Sequence, residues 1–145
     1  MEEVMAAVGI LHGGDHERAR SLLLALWEKL GESDNAVERC TVAHFLADTE
    51  AAVAEELRWD LRALAAATGG GLGEDRDPLA PGLDAFLPSL HLNVGDACRR
   101  AGDAGNAQLH AGFGLGRADA LGEDGYGGTI RLGLERLRDR VAEAG

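Results

Sequence analysis

The chain is predicted to be all-α, and three features of its sequence predict it. Apolar residues recur every three or four positions along most of its 145 residues, the spacing that places them on one face of a helix. Leu, Ala, Arg and Glu, which favour helix, are frequent, whereas the strand formers Val, Ile, Tyr, Phe and Trp are sparse and scattered. The pairs Gly13-Gly14, Asp48-Thr49 and Gly102-Asp103 punctuate the apolar stretches as turns between helices do. The length fits one domain over residues 1–145. With 46% hydrophobic but only 4% aromatic residues, the core has to be built from Ala, Leu and Val, which suits closely packed helices.

The elements follow in order. A first helix is expected over residues 2–11, with Val4, Ala7, Val8 and Leu11 on one face. After Gly13-Gly14, Asp15 caps a second helix whose stripe is Ala19, Leu22, Leu23, Leu26, Trp27 and Leu30, and Gly31 stops it. Ser33 or Asp34 is expected to cap a third helix reaching Ala47, with Asp48-Thr49 as the turn and Asp48 capping the helix that follows. That fourth helix carries Val53, Leu57, Leu61 and Leu64 on a single face as far as Thr68. Residues 69–82, with three consecutive glycines, charges and two prolines, cannot hold a helix and form a flexible connection. It reads as a spacer between helix pairs, the other reading being a lid over a site. A fifth helix over residues 84–101 must place Pro88 in its first turn, where the missing N–H is harmless. A sixth is expected over residues 104–121 and a terminal one over residues 126–142, the latter with Ile130, Leu132, Leu134, Leu137 and Val141 among Arg and Glu.

Laid over one another, the helix pairs share a register. Gly14 precedes Ala19 by five residues, Gly102 precedes Ala107 by five, and Asp48 and Val53 take those places in the middle pair, 34 residues after the first. Leu23, Leu57 and Ala111 then correspond, as do Trp27, Leu61 and Leu115, and Leu30, Leu64 and Ala118. On these residues the chain resembles the tetratricopeptide-repeat (TPR) family. The clearest stretch runs Val94-Gly95-Asp96-Ala97-Cys98-Arg99-Arg100-Ala101-Gly102-Asp103-Ala104-Gly105-Asn106-Ala107, with the family's apolar-Gly pair, its turn Gly and its small Ala. Gly95 and Ala107 let two helices approach, and Gly102 allows the tight turn. The resemblance covers units at about residues 1–31, 34–67 and 88–121. It departs at Ala7 and Thr41, where the small Gly is expected, and at Ile10, His44 and Cys98, where an aromatic is usual.

The resemblance implies antiparallel helix-turn-helix pairs stacked as a short right-handed array of about seven helices, with residues 126–142 as its capping helix. It also implies a concave groove lined by the first helix of each pair. Carried onto this register, that groove holds Val4, Val8, Leu11 and His12 from the first unit, and Asn35, Glu38, Arg39 and Val42 from the second. Leu92, Asn93, Asp96, Arg99 and Arg100 come from the third. Arg39, Asn93, Arg99 and Arg100 would form a basic, amide-bearing patch suited to an acidic peptide segment or a chain terminus, because guanidinium groups bind carboxylates bidentately. The family's carboxylate-clamp pattern is not reproduced in full. The implied function is a non-enzymatic protein-protein interaction module for a peptide or helix of a partner protein. The alternatives are a self-association module, a homodimer through the terminal helix, or a small-molecule-binding helical protein.

The remaining residues supply no competing chemistry. A formal net charge of −11 argues against a nucleic-acid partner. Cys40 and Cys98 read as buried free thiols, the other reading being one bridge between distant repeats. The start Met1-Glu2-Glu3 is the opposite of a signal peptide's, and no apolar run approaches the roughly 18 residues needed to span a bilayer, so a cytoplasmic location is expected. His12 and His16 flank a glycine turn, so they should not share a helical face. His44 and Asp48 do sit one turn apart, but zinc wants about four ligands, and His44 is expected to fill a core position. The run Gly112-Phe113-Gly114-Leu115-Gly116 lacks the preceding strand of a dinucleotide-binding loop. Ser21, Ser33 and Ser89 stand in helix or cap contexts without a nucleophile elbow. Neither an enzyme nor a bound cofactor is expected.

Overall fold

A computed structural model describes residues 1–31, 35–70 and 74–144. Among them the chain forms seven α-helices and one 3-10 turn, Ala118–Ala120, with no strand. The helices are α1 (Glu2–His12), α2 (His16–Lys29), α3 (Ala36–Asp48), α4 (Val53–Thr68), α5 (Leu87–Arg100), α6 (Ala104–Gly116) and α7 (Gly125–Ala144). Each packs against the next in the chain, α1 also touches α3, and α5 also packs on α7. The all-α expectation and the sequential packing of neighbouring helices are therefore observed.

The helix ends follow capping chemistry, with two shifts from expectation. The side chains of Asp15 and Asp103 accept from the N–H groups of Arg18 and Asn106, closing the first turns of α2 and α6. At α3 the cap is Asn35, whose Oδ1 accepts from Val37 and Glu38; Ser33 and Asp34 lie outside the described residues. Asp48 caps nothing, since it is the last residue of α3 and α4 begins after Ala52 with no side-chain cap. Gly14 and Gly102 take positive φ values of 98° and 86°, which only glycine adopts easily, so both turns are of the kind the register requires.

The fifth helix starts at Leu87 instead of 84, because residues 79–86 form turns that bury Leu83. Pro88 lies in its first turn. The sixth ends at Gly116, where Arg117 closes it, instead of running on to 121. The connection expected as a spacer is tied at both ends. Leu79 N–H donates to Ala67 O at 2.8 Å, and Arg117 binds Asp75 at 2.6 Å and Asp77 at 3.4 Å; residues 71–73 lie outside the described residues.

The core runs the length of the molecule from Val4 to Val141. The α1 face of Val4, Ala7, Val8 and Leu11 is buried as the spacing predicts. On α4 the buried face differs: Trp59, Asp60, Ala63, Leu64 and Ala67 are inside, while Val53, Leu57 and Leu61 are only half-buried. The helix is packed between α3 and α5, so a single apolar stripe does not describe it. Glycines set the spacing of the last three helices. A Cβ at Gly95 would meet Leu137 Cδ2 at 2.7 Å, and one at Gly114 would meet Leu134 Cδ2 at 2.5 Å, so leucines of α7 seat in notches on α5 and α6. α7 thereby spends Leu134, Leu137 and Val141 inward, leaving Tyr126 and Leu132 exposed. Cys40 and Cys98 are buried and free, which removes the bridging alternative. Burial pushes their thiols up to about 12 and about 11, so both stay protonated. Among the described residues no helix is long and apolar enough to cross a membrane.

Candidate functional site

The seven residues expected to line a groove are divided among three places. Asn35 and Glu38 secure the start of α3: the first caps it, and the second accepts from the Met1 amino group at 2.6 Å. Arg39 turns toward α2, stacking 3.8 Å above the Trp27 ring and donating to Leu30 O at 2.6 Å. Asn93, Asp96, Arg99 and Arg100 remain together on α5. Val4, Val8, Leu11 and Val42, carried to the groove by the register, are buried core residues.

On α5 the basic patch is neutralised within the chain. Arg99 reaches Asp96 Oδ1 at 3.0 Å, Arg100 reaches Asp96 Oδ2 at 2.9 Å, and Arg100 also binds Glu56 of α4. Neither guanidinium is left to take an external carboxylate in the way the sequence suggested. Arg136 and Arg140 are among the arginines that remain available. One turn apart on α7, they are exposed and have no carboxylate partner among the described residues. With Leu92, Asn93, Asp96 and Gly133 they line a groove of about 340 Å³ between α5 and α7. The groove exists because Gly133 lets Leu92 approach: a Cβ there would meet Leu92 Cδ2 at 2.8 Å. The periodicity of α7 held this signal, since Gly133, Arg136, Leu137 and Arg140 share one helical face.

A polar seam runs from this groove toward α3 and α4. Asn93 Nδ2 lies 3.3 Å from His44 Nδ1 and donates to it, which puts the imidazole proton on Nε2. Burial pulls His44 below its ordinary range, against the opposing charge of Asp48, so the ring is neutral. His44 is half-buried, not in the core as expected, and packs edge-on to Phe45 and Phe86. Asp60, 5% exposed on α4, was missed in the sequence because a carboxylate ordinarily faces solvent, although its spacing from Val53, Leu57 and Leu64 puts it on their face. Burial pushes its carboxyl up to about 8, helped by Glu56, Asp48 and Asp96 and opposed by Arg100. At neutral pH it is largely protonated.

A second buried titratable pair joins α5 to α6. His91 and His110 meet through their Nδ1 atoms at 3.0 Å, and His91 Nε2 lies 3.8 Å from Asp75 Oδ1. That nitrogen is the sole buried side-chain N or O without a hydrogen bond among the described residues. A proton on Nε2, facing the Asp75 carboxylate, makes His91 Nδ1 the acceptor and His110 Nδ1 the donor. Burial first, then His110, brings His91 down to about 4, while Asp75 acts the other way; burial lowers His110 as well.

Among the described residues no group of three or more His, Cys, Asp or Glu side chains is placed to hold a metal ion. Gly112 to Gly116 are helical, with Gly114 facing Leu134, so they form no phosphate loop. What the α5–α7 groove offers chemically is the two exposed guanidinium groups of Arg136 and Arg140, beside the half-buried Asn93 amide and the Asp96 carboxylate already paired with Arg99 and Arg100. Comparison with known protein families, curated proteins and solved structures finds no match to this chain.

Proposed function

We propose that the chain is a non-enzymatic protein-binding module, a short right-handed array of the tetratricopeptide-repeat kind, that docks an acidic segment of a partner protein between α5 and α7. Arrays of this kind stack helix hairpins in chain order, and the contacts of α1 with α3 and of α5 with α7 suit such stacking. The observation that carries the reading is the pair Arg136 and Arg140, without carboxylate partners among the described residues, beside Asn93 in one groove. Guanidinium pairs one helical turn apart suit a carboxylate-bearing strand or chain end. In this reading the protein works in the cytoplasm, where its two thiols stay reduced.

The test uses a fluorescein-labelled glutamate-rich dodecapeptide with a free carboxy terminus, titrated by anisotropy. Changing Arg136 and Arg140 together to Glu, on an exposed face, is expected to weaken binding at least tenfold. Equal affinity for the parent and the variant would remove the groove from the account.

A further inference from the structure

The two tryptophans of the chain, far apart in sequence, come together on another face. Trp27 of α2 and Trp59 of α4 meet edge to face with centroids 5.4 Å apart. Arg39 of α3 stacks 3.8 Å above Trp27, and Arg62 of α4 stacks 4.4 Å above Trp59. A groove of about 1000 Å³ opens beside them, with Leu24, Ala66 and Leu79 among its lining residues. That volume reaches the upper end of ligand-sized sites. Leu79 rests on Gly69 and is 60% exposed, an apolar side chain held at the rim.

The charge of this groove stands out against the rest of the molecule. The chain has 25 acidic and 14 basic residues, and most of its arginines are held by carboxylates. Arg39 and Arg62 have no carboxylate partner among the described residues; Arg39 gives one N–H to a backbone carbonyl and Arg62 gives none. Stacking fixes the plane of each guanidinium and leaves its remaining N–H edges for an external acceptor. Trp and Arg are also the residue types that dominate the energetics of protein interfaces.

We propose that this groove is a second docking site, independent of the one between α5 and α7, for an extended partner segment that places an apolar side chain between two carboxylates. The apolar side chain covers Trp27, Trp59 and Leu79, and the carboxylates pair with Arg39 and Arg62. A wholly apolar segment leaves both guanidinium groups desolvated without partners, and a wholly acidic one leaves the tryptophan edges in water.

Because both tryptophans of the chain line this groove, intrinsic fluorescence reports its occupancy directly. A phage-displayed dodecapeptide library is selected on the full chain, and the enriched sequences are synthesised without tryptophan. The expected peptides carry Asp or Glu on both sides of an apolar residue and shift the tryptophan emission. They should bind Arg62→Glu at least tenfold more weakly and be unaffected by Arg136→Glu with Arg140→Glu. Arg62→Gln, checked by circular dichroism, serves as the milder second variant. Failure to enrich any peptide, enrichment of sequences lacking acidic residues, or equal binding to the Arg62 variants overturns the proposal. So does succinate displacing the peptide at equal concentration, which makes the groove a small-molecule site. A peptide that ignores Arg62 but is lost with Arg136 and Arg140 contradicts the second site while supporting the first.

Discussion

Thiols aside, the fully buried titratable group of the first four helices is an acid, Asp60; that of the last three is a pair of bases, His91 and His110. Both regions are built from helices packed against their neighbours in chain order, yet they are held together differently. The first closes around large rings, Trp27 against Trp59 and His12 against Phe45. The second closes through glycine notches filled by leucines. Each carries a groove with two guanidinium groups that lack carboxylate partners among the described residues, stacked on rings in one case and one turn apart on α7 in the other. The groove of the first region is the larger, about 1000 Å³ against about 340 Å³ in the second.

The difference has opposite consequences for pH. The Asp60 carboxyl rises from an ordinary 3.8 to about 8, so the folded chain keeps a proton that the unfolded chain releases. Its penalty is absent below pH 3.8, grows through the window up to 8 and is complete above it. His91 falls from an ordinary 6.5 to about 4, so between those values the unfolded chain binds the extra proton. Stability from this ring is intact above pH 6.5 and is lost as pH falls toward 4. Asp60 therefore makes the first region alkaline-sensitive and His91 makes the second acid-sensitive, while His44, also lowered by burial, gives the first region an acid limb of its own.

The largest expected effect comes from removing the acid. Asp60→Asn should stabilise the chain by about 3 kcal/mol at pH 8 and leave it unchanged at pH 4. Urea unfolding at the two pH values checks this, and an equal effect at both would mean the carboxyl does not titrate as described. Next, His91→Leu combined with His110→Leu should flatten the acid limb, recovering about 2 kcal/mol between pH 6.5 and pH 4. The smallest effect separates two glycines of α6. Gly114→Ala forces a methyl against Leu134 and should destabilise by about 1.5 kcal/mol. Gly112, with nothing within 4 Å of an added Cβ, should gain up to about 1 kcal/mol from the same change. Thermal melts of both variants suffice, and the comparison of regions breaks if the two glycines respond alike.

Much of the fold was legible because it rests on local rules. Gly14 and Gly102 mark turns whose positive φ only glycine tolerates easily, and Gly95 with Ala107 marks the close approach of α5 and α6. The boundaries that moved did so through tertiary packing: Leu83 is drawn into the core ahead of α5, and Arg117 closes α6 while holding Asp75. The candidate site was less legible for the same reason. Arg99 and Arg100 read as a free basic patch, but Arg100's partner Glu56 lies on another helix, and Asp96 had been counted as groove lining. Arg39 was grouped with them, although Trp27 takes its guanidinium to a different face. Arg136 and Arg140 stand among the Arg and Glu of the terminal helix, and only the packing of α7 beside α5 brings them to a groove.

Nuclear magnetic resonance on the 15.2 kDa chain tests the functional claim most directly. The glutamate-rich dodecapeptide is titrated into labelled protein, and amide shifts are followed by residue. The account predicts saturable shifts at Asn93, Gly133, Arg136 and Arg140, abolished when both arginines become Glu. Shifts confined to other residues, or binding that survives the double change, would contradict it.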